Sequence, residues 1–240
     1  VIKQQRAQFE HILVLDAGDG LIRDASPATS TEGRSSVKLM NSMGYDAMAL
    51  GEGDLAQLGV ETIRQRMEEA QFAFLSANAY ITGTDELLAQ PYLIVEMDER
   101  RVAIIGVTGM AQVPGIEIRD PLTATREIVD LIGPRAHILI LLSHAGLETN
   151  KTIAANVGEV HLIVSGGGLA FTPSPFFGQE GPPIVHADVS GPGHAGRRIG
   201  LGVWSFDEGG KLAEHRWQDL ALGPEIADDR AMLQWVYENR

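Results

Sequence analysis

Residues 137–142 read His-Ile-Leu-Ile-Leu-Leu, an apolar run with no polar alternation. A strand of this kind has no face suited to water, so it belongs in a parallel sheet covered on both sides. His11-Ile12-Leu13-Val14-Leu15-Asp16 and His161-Leu162-Ile163-Val164 have the same character. Helical spacing separates such runs. Val37, Leu39, Met40 and Met43 fall on one side of a helix over 35–43, with Gly44 as its stop signal. Further helices are expected over about 60–70, 121–132 and 148–156, and a strand over 47–50 and another over 72–75. Asp24 to Ser36 is rich in Ser, Thr, Pro and Gly and reads as a surface loop. Met97-Asp98-Glu99-Arg100 is the turn of a β-hairpin joining 91–96 to 101–107. Beyond the Ser165 to Gly168 glycine run the pattern changes to strands over 184–187, 198–206 and 212–217 without helices, closed by a helical stretch over 224–239. The order predicts an α/β fold in which a largely parallel or mixed sheet faces a second sheet, with helices outside.

At 240 residues and 44% apolar content the chain is long enough for a full core, and one domain over 1–240 is expected, with 224–240 as its exit helix. The formal charge is −13, and no basic cluster is longer than Arg197-Arg198. This balance argues against nucleic acid or an anionic membrane as partner and favours small molecules or proteins. No run approaches the roughly 18–20 apolar residues of a membrane span. Cysteine is absent, which removes disulfides, thiolate chemistry and Cys-type zinc sites from consideration.

The strand ends carry the chemistry. Asp16 and Asp19 follow the first strand, Glu52 and Asp54 the second, Ser143 and His144 the long apolar one, and the glycines of 166–168 the next. Ligands collect beyond the carboxyl ends of strands in α/β sheets, and carboxylates with an imidazole suit a hard or borderline divalent metal. Taken singly, each has a simpler role: Asp19 as a turn residue, His11, His137 and His161 as strand-edge residues, His215 as a solvated strand residue, and Trp204, Trp217 and Trp235 as packing residues.

Leu-Asp-Ala-Gly-Asp (15–19), Met-Gly-Tyr-Asp-Ala-Met-Ala-Leu-Gly (43–51), Leu-Ser-Ala-Asn (75–78), Ile-Ile-Gly-Val-Thr-Gly (104–109) and Leu-Leu-Ser-His-Ala-Gly-Leu (141–147) occur in an order that resembles a known family. Pro183 to Ala187 and the closing 220–237 segment continue the likeness across nearly the whole chain. The family is the 5′-nucleotidase and UDP-sugar hydrolase catalytic domain, one of the calcineurin-like metallophosphoesterases. The resemblance implies two facing mixed β-sheets flanked by helices, a four-layer α/β/β/α arrangement, and a centre of two metal ions that activates water against a phosphoester. Exported family members imply a periplasmic or otherwise extracytoplasmic location.

Residue by residue, the likeness to that centre is partial. Asp19 matches the bridging Asp and His144 a later His ligand. Glu52 falls where an Asn ligand belongs, and Gly53 where a catalytic His belongs. Asp54 takes roughly the place of the motif's Glu, while Gly167 and Leu169 stand where a Gly-His-x-His pair is expected. The family's Asp-x-His strand would lie upstream of Val1. The resemblance therefore implies Asp19, Glu52 and His144 as ligands of a divalent metal such as Mn, Zn, Mg or Ca. Asp16, Asp54 and His186 are further candidates, and His194 lies in the same returning region as His186. The leading expectation is a degenerate domain that serves as a binding or structural module. The alternatives are a residual metal-dependent hydrolase of nucleotides or related phosphoesters, and a structural subunit of a larger extracytoplasmic assembly with a protein partner or adjoining domain.

Overall fold

The apolar runs become two sheets that face one another. In this computed structural model, residues 1–22, 26–168, 174–178, 181–187, 198–207 and 209–238 are described. A short helix, α1 (Ile2–Arg6), precedes β1 (Leu15–Asp16), α2 (Arg34–Met43), β2 (Ala47–Ala49), α3 (Glu52–Glu69) and β3 (Ala73–Leu75). The three strands form a parallel sheet in the order β1-β2-β3. Then come β4 (Ala79–Ile81), β5 (Tyr92–Met97), β6 (Arg100–Val107), β7 (Ile116–Ile118), α4 (Pro121–Ile132), β8 (Ile138–Ser143), α5 (Leu147–Asn156), β9 (Leu162–Ser165) and β10 (Ile184–Val185). The second sheet runs β10-β9-β8-β6-β5, parallel except for the β5–β6 hairpin. β11 (Arg198–Phe206) and β12 (Leu212–Ala221) make a long antiparallel hairpin, and α6 (Arg230–Glu238) follows.

Alternation along the central strands sets the layers. Ile104 of β6 and Leu142 of β8 point at Ala47 and Ala49 of the first sheet, while Val102, Ile138 and Ile140 meet Trp204, Phe206 and Trp217 of the hairpin. The odd-numbered neighbours Ala103, Ile105, Leu139 and Leu141 point the other way, into the core under α4 and α5. On the far side, Val37 and Met40 of α2 and Leu55 and Ile63 of α3 close over Met48 and Phe74. Each such fully buried aliphatic side chain contributes about 1.5–3 kcal/mol. The result is the expected order of helix, sheet, sheet and helix, with the first sheet wholly parallel rather than mixed.

Several boundaries differ from the sequence reading. The run from His11 to Asp16 yields ladder pairing only at Leu15 and Asp16, and it is half-buried rather than covered on both faces. Val14 still joins the sheet, but its N–H donates to the Asp46 carboxylate at 2.7 Å instead of to a backbone carbonyl. The β4–β7 pair was not foreseen, because three residues are too few for periodicity to register. α3 begins eight residues earlier than expected, since Gly51 is extended and Glu52 and Asp54 favour a helix N-terminus. Gly59, at φ 70°, interrupts it, which is why its second half alone looked helical. α4 matches its expected span, capped by Asp120 Oδ1, which accepts from the Thr123 N–H.

His137 and His161 stand just before β8 and β9 and close the ladders there. Each backbone N–H donates to the neighbouring strand, to Arg101 O and Leu139 O, at 2.8 Å. Each ring Nδ1 accepts the N–H of that same residue, at 2.9 Å and 3.1 Å. Burial, against backbone contacts with Glu159 and Gly210 that pull the other way, holds the His161 pKa below its ordinary 6.5. The unfolded chain therefore takes up this proton first, so the contribution is fully present above the ordinary value and declines as pH falls below it. Urea unfolding at about pH 7 and about pH 5 is expected to show this contribution as a difference, the parent losing stability relative to His161→Gln as pH falls, while Asp54 and His144 titrate alike in both proteins.

Candidate functional site

Because β1, β2, β8 and β9 run parallel within their sheets, their carboxyl ends meet at one edge. Asp19 lies on the turn after β1, with a left-handed φ of 57°. Glu52 opens α3 directly after β2, and His144 follows β8. The three bring one ligand atom each to within 4.8 Å of one another, the one such group of acidic, His or Cys side chains among the described residues. His144 Nδ1 donates to Glu52 Oε2 at 2.7 Å, and His144 Nε2 lies 3.6 Å from Asp19 Oδ2. His144 is buried, while a third of each carboxylate side chain is open to solvent.

The electrostatics follow from this contact. Burial pushes the His144 pKa down, but the Glu52 hydrogen bond and the charges of Asp19 and Glu52 outweigh it, leaving the ring above its ordinary value. For Glu52, burial pushes up, and the bond and charge of His144 carry it below its ordinary value. The imidazole thus sits between two carboxylates that both favour a positive charge at its position. A divalent cation would answer the same demand.

Close approach is permitted by missing side chains. A Cβ at Gly53 would come within 2.6 Å of Asp19 Oδ2, and one at Gly166 within 2.9 Å of the His144 ring. With Gly53 bare, the Asp19 carboxylate lies against the start of α3, and its Oδ1 accepts the Asp54 N–H at 2.9 Å. The position where the resemblance places a catalytic His is therefore filled by the Asp19 carboxylate.

The other candidates are placed differently. Asp16 Oδ1 accepts the Gly18 N–H at 2.9 Å and lies outside the group of three. Asp54 is buried and accepts the N–H groups of Leu21 at 3.1 Å and Ile22 at 2.9 Å. Burial is the main reason its pKa is pushed up to about 7, with the Asp19 and Asp16 charges adding and the two backbone bonds opposing. His186 follows β10, where its N–H donates to Ser174 Oγ at 3.0 Å, and it too is outside the group. His194 and Leu169 lie outside the described residues. Gly167 and Gly168 both have left-handed φ, at 72° and 78°.

Two buried asparagines carry roles that the sequence did not assign, Asn78 within a quoted motif and Asn150 outside any. Asn78 accepts the Thr108 N–H and donates to Thr108 O and Arg119 O, each at 2.8 Å, and Thr108 Oγ1 donates to Leu50 O at 2.8 Å. Asn150, in α5, joins Ser143 and Ser165. A signal for Asn150 exists, since it shares the i, i+3, i+4, i+7 spacing of Ile153, Ala154 and Val157 and so falls on the buried face.

Among known proteins, the chain is similar to the probable 5′-nucleotidase of Treponema pallidum, at 33% identity over 194 residues, 77% of this chain and 32% of that protein. It is 30% identical to the 5′-nucleotidase of Bos taurus over 257 residues, 95% of this chain and 44% of that protein. In structure it matches the Thermus thermophilus sulfate thiohydrolase SoxB with a TM-score of 0.86 at 22% identity, covering 99% of this chain and 44% of that one. The chain thus spans less than half the length of each of these proteins. No protein-family model matches it.

Asp54→Ala leaves two buried N–H groups without acceptors, and unfolding in denaturant is expected to show a loss of about 1–3 kcal/mol.

Proposed function

We propose that this chain, a 5′-nucleotidase-like metallophosphoesterase domain, holds one divalent cation and uses it to bind a phosphoester without turning it over efficiently. The observation that carries this reading is the convergence of Asp19, Glu52 and His144 within 4.8 Å at the sheet edge. Two carboxylates and one imidazole fit one ion with positions left for water or ligand oxygens. They do not fit two, because the pair of imidazole donors that the resemblance expects is missing at Gly167 and Leu169. When bound, the cation supplies positive charge to a phosphoester oxygen.

The chain's own residues account for the rest. Asp19 is fixed by the Asp54 N–H, so its second oxygen is the one that faces His144. Glu52 is oriented by His144 and carries the full charge that an Asn at this position lacks. Gly53 offers no proton and no charge to a developing negative oxygen, and its missing side chain admits the Asp19 carboxylate instead. Binding is therefore supported, and stabilisation specific to a transition state is not. Nucleotide monophosphates are the first ligand class to test, because relatives at 30% identity or more carry the 5′-nucleotidase name.

Calorimetric titration with Mn²⁺ is expected to give one ion per chain, with uptake lost in Glu52→Ala and His144→Ala. With Mn²⁺ present, AMP is expected to bind while phosphate release stays far below the ~10 s⁻¹ of an ordinary enzyme. Turnover near that rate, or uptake of two ions, would overturn the reading. Gly53→Ala is expected to weaken Mn²⁺ uptake with little change in melting temperature, since its Cβ displaces the Asp19 carboxylate.

A further inference from the structure

We infer that Asn150 is a positioning residue for the His144 ring. The inference rests on the single-cation reading of Asp19, Glu52 and His144. Asn150, the fourth residue of α5, is fully buried, and its carboxamide spans the ends of two strands. Its Oδ1 accepts from Ser143 Oγ at 2.6 Å, and its Nδ2 donates to Ser165 Oγ at 2.8 Å. Ser143 is the last residue of β8 and Ser165 the last of β9. Each hydroxyl therefore sits one residue before a part of the His144 enclosure, which is His144 itself on one side and Gly166 on the other.

The two strand ends are then tied further. The Gly166 N–H donates to Ser143 O at 2.7 Å, and the His144 N–H donates to Val107 O at 2.9 Å. Ser143 Oγ also accepts the Ala145 N–H at 3.1 Å, which bends the chain immediately after His144. Against this backbone the ring has little room, since a Cβ on Gly166 would meet it at 2.9 Å and one on Gly18 at 2.6 Å. A shift of Ser165 relative to Ser143 moves the Gly166 backbone that lies on the ring, and with it the direction of the Nδ1–H to Glu52. Asn150 acts through these two serines and touches none of the three donors.

The chemistry of its partners supplies a conservative variant. Both are hydroxyls, which can donate or accept, so Asp at 150 has the same shape and can accept from Ser165 where Asn donates. Asn150→Ala removes both bonds. Mn²⁺ titration of the full chain is expected to show about 10–100-fold weaker uptake in Asn150→Ala, as for other groups that orient a metal-binding side chain. Asn150→Asp is expected to retain the parent's affinity. Ile63→Val, in the core under α3, loses stability away from the site and is expected to leave uptake unchanged. Should Asn150→Ala not fold, Ser165→Ala removes one bond and is expected to weaken uptake to a smaller extent.

Parental affinity in Asn150→Ala overturns the proposal, as does parental affinity in Ser165→Ala where Asn150→Ala does not fold. Equal loss in Asn150→Asp and Asn150→Ala, or in Ile63→Val, also overturns it. If the parent takes up no Mn²⁺, it is the cation reading that fails, and proton NMR of the metal-free protein then decides on Asn150. The low-field His144 Nδ1–H resonance is expected to hold its position in Asn150→Asp and to shift or vanish in Asn150→Ala, or to shift in Ser165→Ala if that variant stands in. An unchanged resonance in the variant that tests it overturns the proposal.

Discussion

The hydrogen bond from His144 to Glu52 joins the two sheets of this protein at their carboxyl edge. Glu52 belongs to the first sheet through β2, and His144 to the second through β8. Neither side chain can keep its place unless the inter-sheet core of Ala47, Ala49, Ile104 and Leu142 sets the spacing. Small residues on the first sheet and branched ones on the second let the layers close tightly. Packing density of this kind leaves little slack, so a site built from both layers inherits its precision from the core.

Polar bonds then fix what packing leaves free. Thr108, at the end of β6, reaches across to Leu50 O, two residues before Glu52, and Asn78 holds Thr108 by both its N–H and its carbonyl. Gly109 follows, and a Cβ there would lie 2.8 Å from His144 O and 3.0 Å from Glu52 Oε2. The side-chain amides and hydroxyls named at this edge, those of Asn78, Thr108, Ser143, Asn150 and Ser165, are each hydrogen-bonded. Buried networks of this kind are tolerable only when every member is paired.

How much of this was legible depends on the range over which each signal acts. The runs at 137–142 and 161–164 and the spacing in 121–132 are local and strong, and they gave strands and a helix within a residue or so. The strand ends offered Asp19, Glu52 and His144 among others and the family resemblance singled them out, but only the fold could show that they converge while Asp16, Asp54 and His186 stand apart. Asp54 stood as a further candidate because it follows a strand and takes roughly the place of the motif's Glu, while its amide partners, Leu21 and Ile22, lie more than thirty residues earlier. Arg66 attracted no notice as one charge among many on a helix. It is fully buried, and its Nη1 donates to Thr31 O and Glu32 O, each at 3.2 Å. Long-range pairing of polar groups leaves no periodicity to read.

The break at Gly59 divides α3 between two territories. Its first two turns carry Glu52 and the N–H that fixes Asp19, and its remainder carries Arg66 and the contact with the 26–33 loop. A continuous helix would transmit any rotation of one half to the other as a rigid rod. With its backbone out of helical register at one residue, the distal half can settle against a changed loop while the proximal half keeps its bearing.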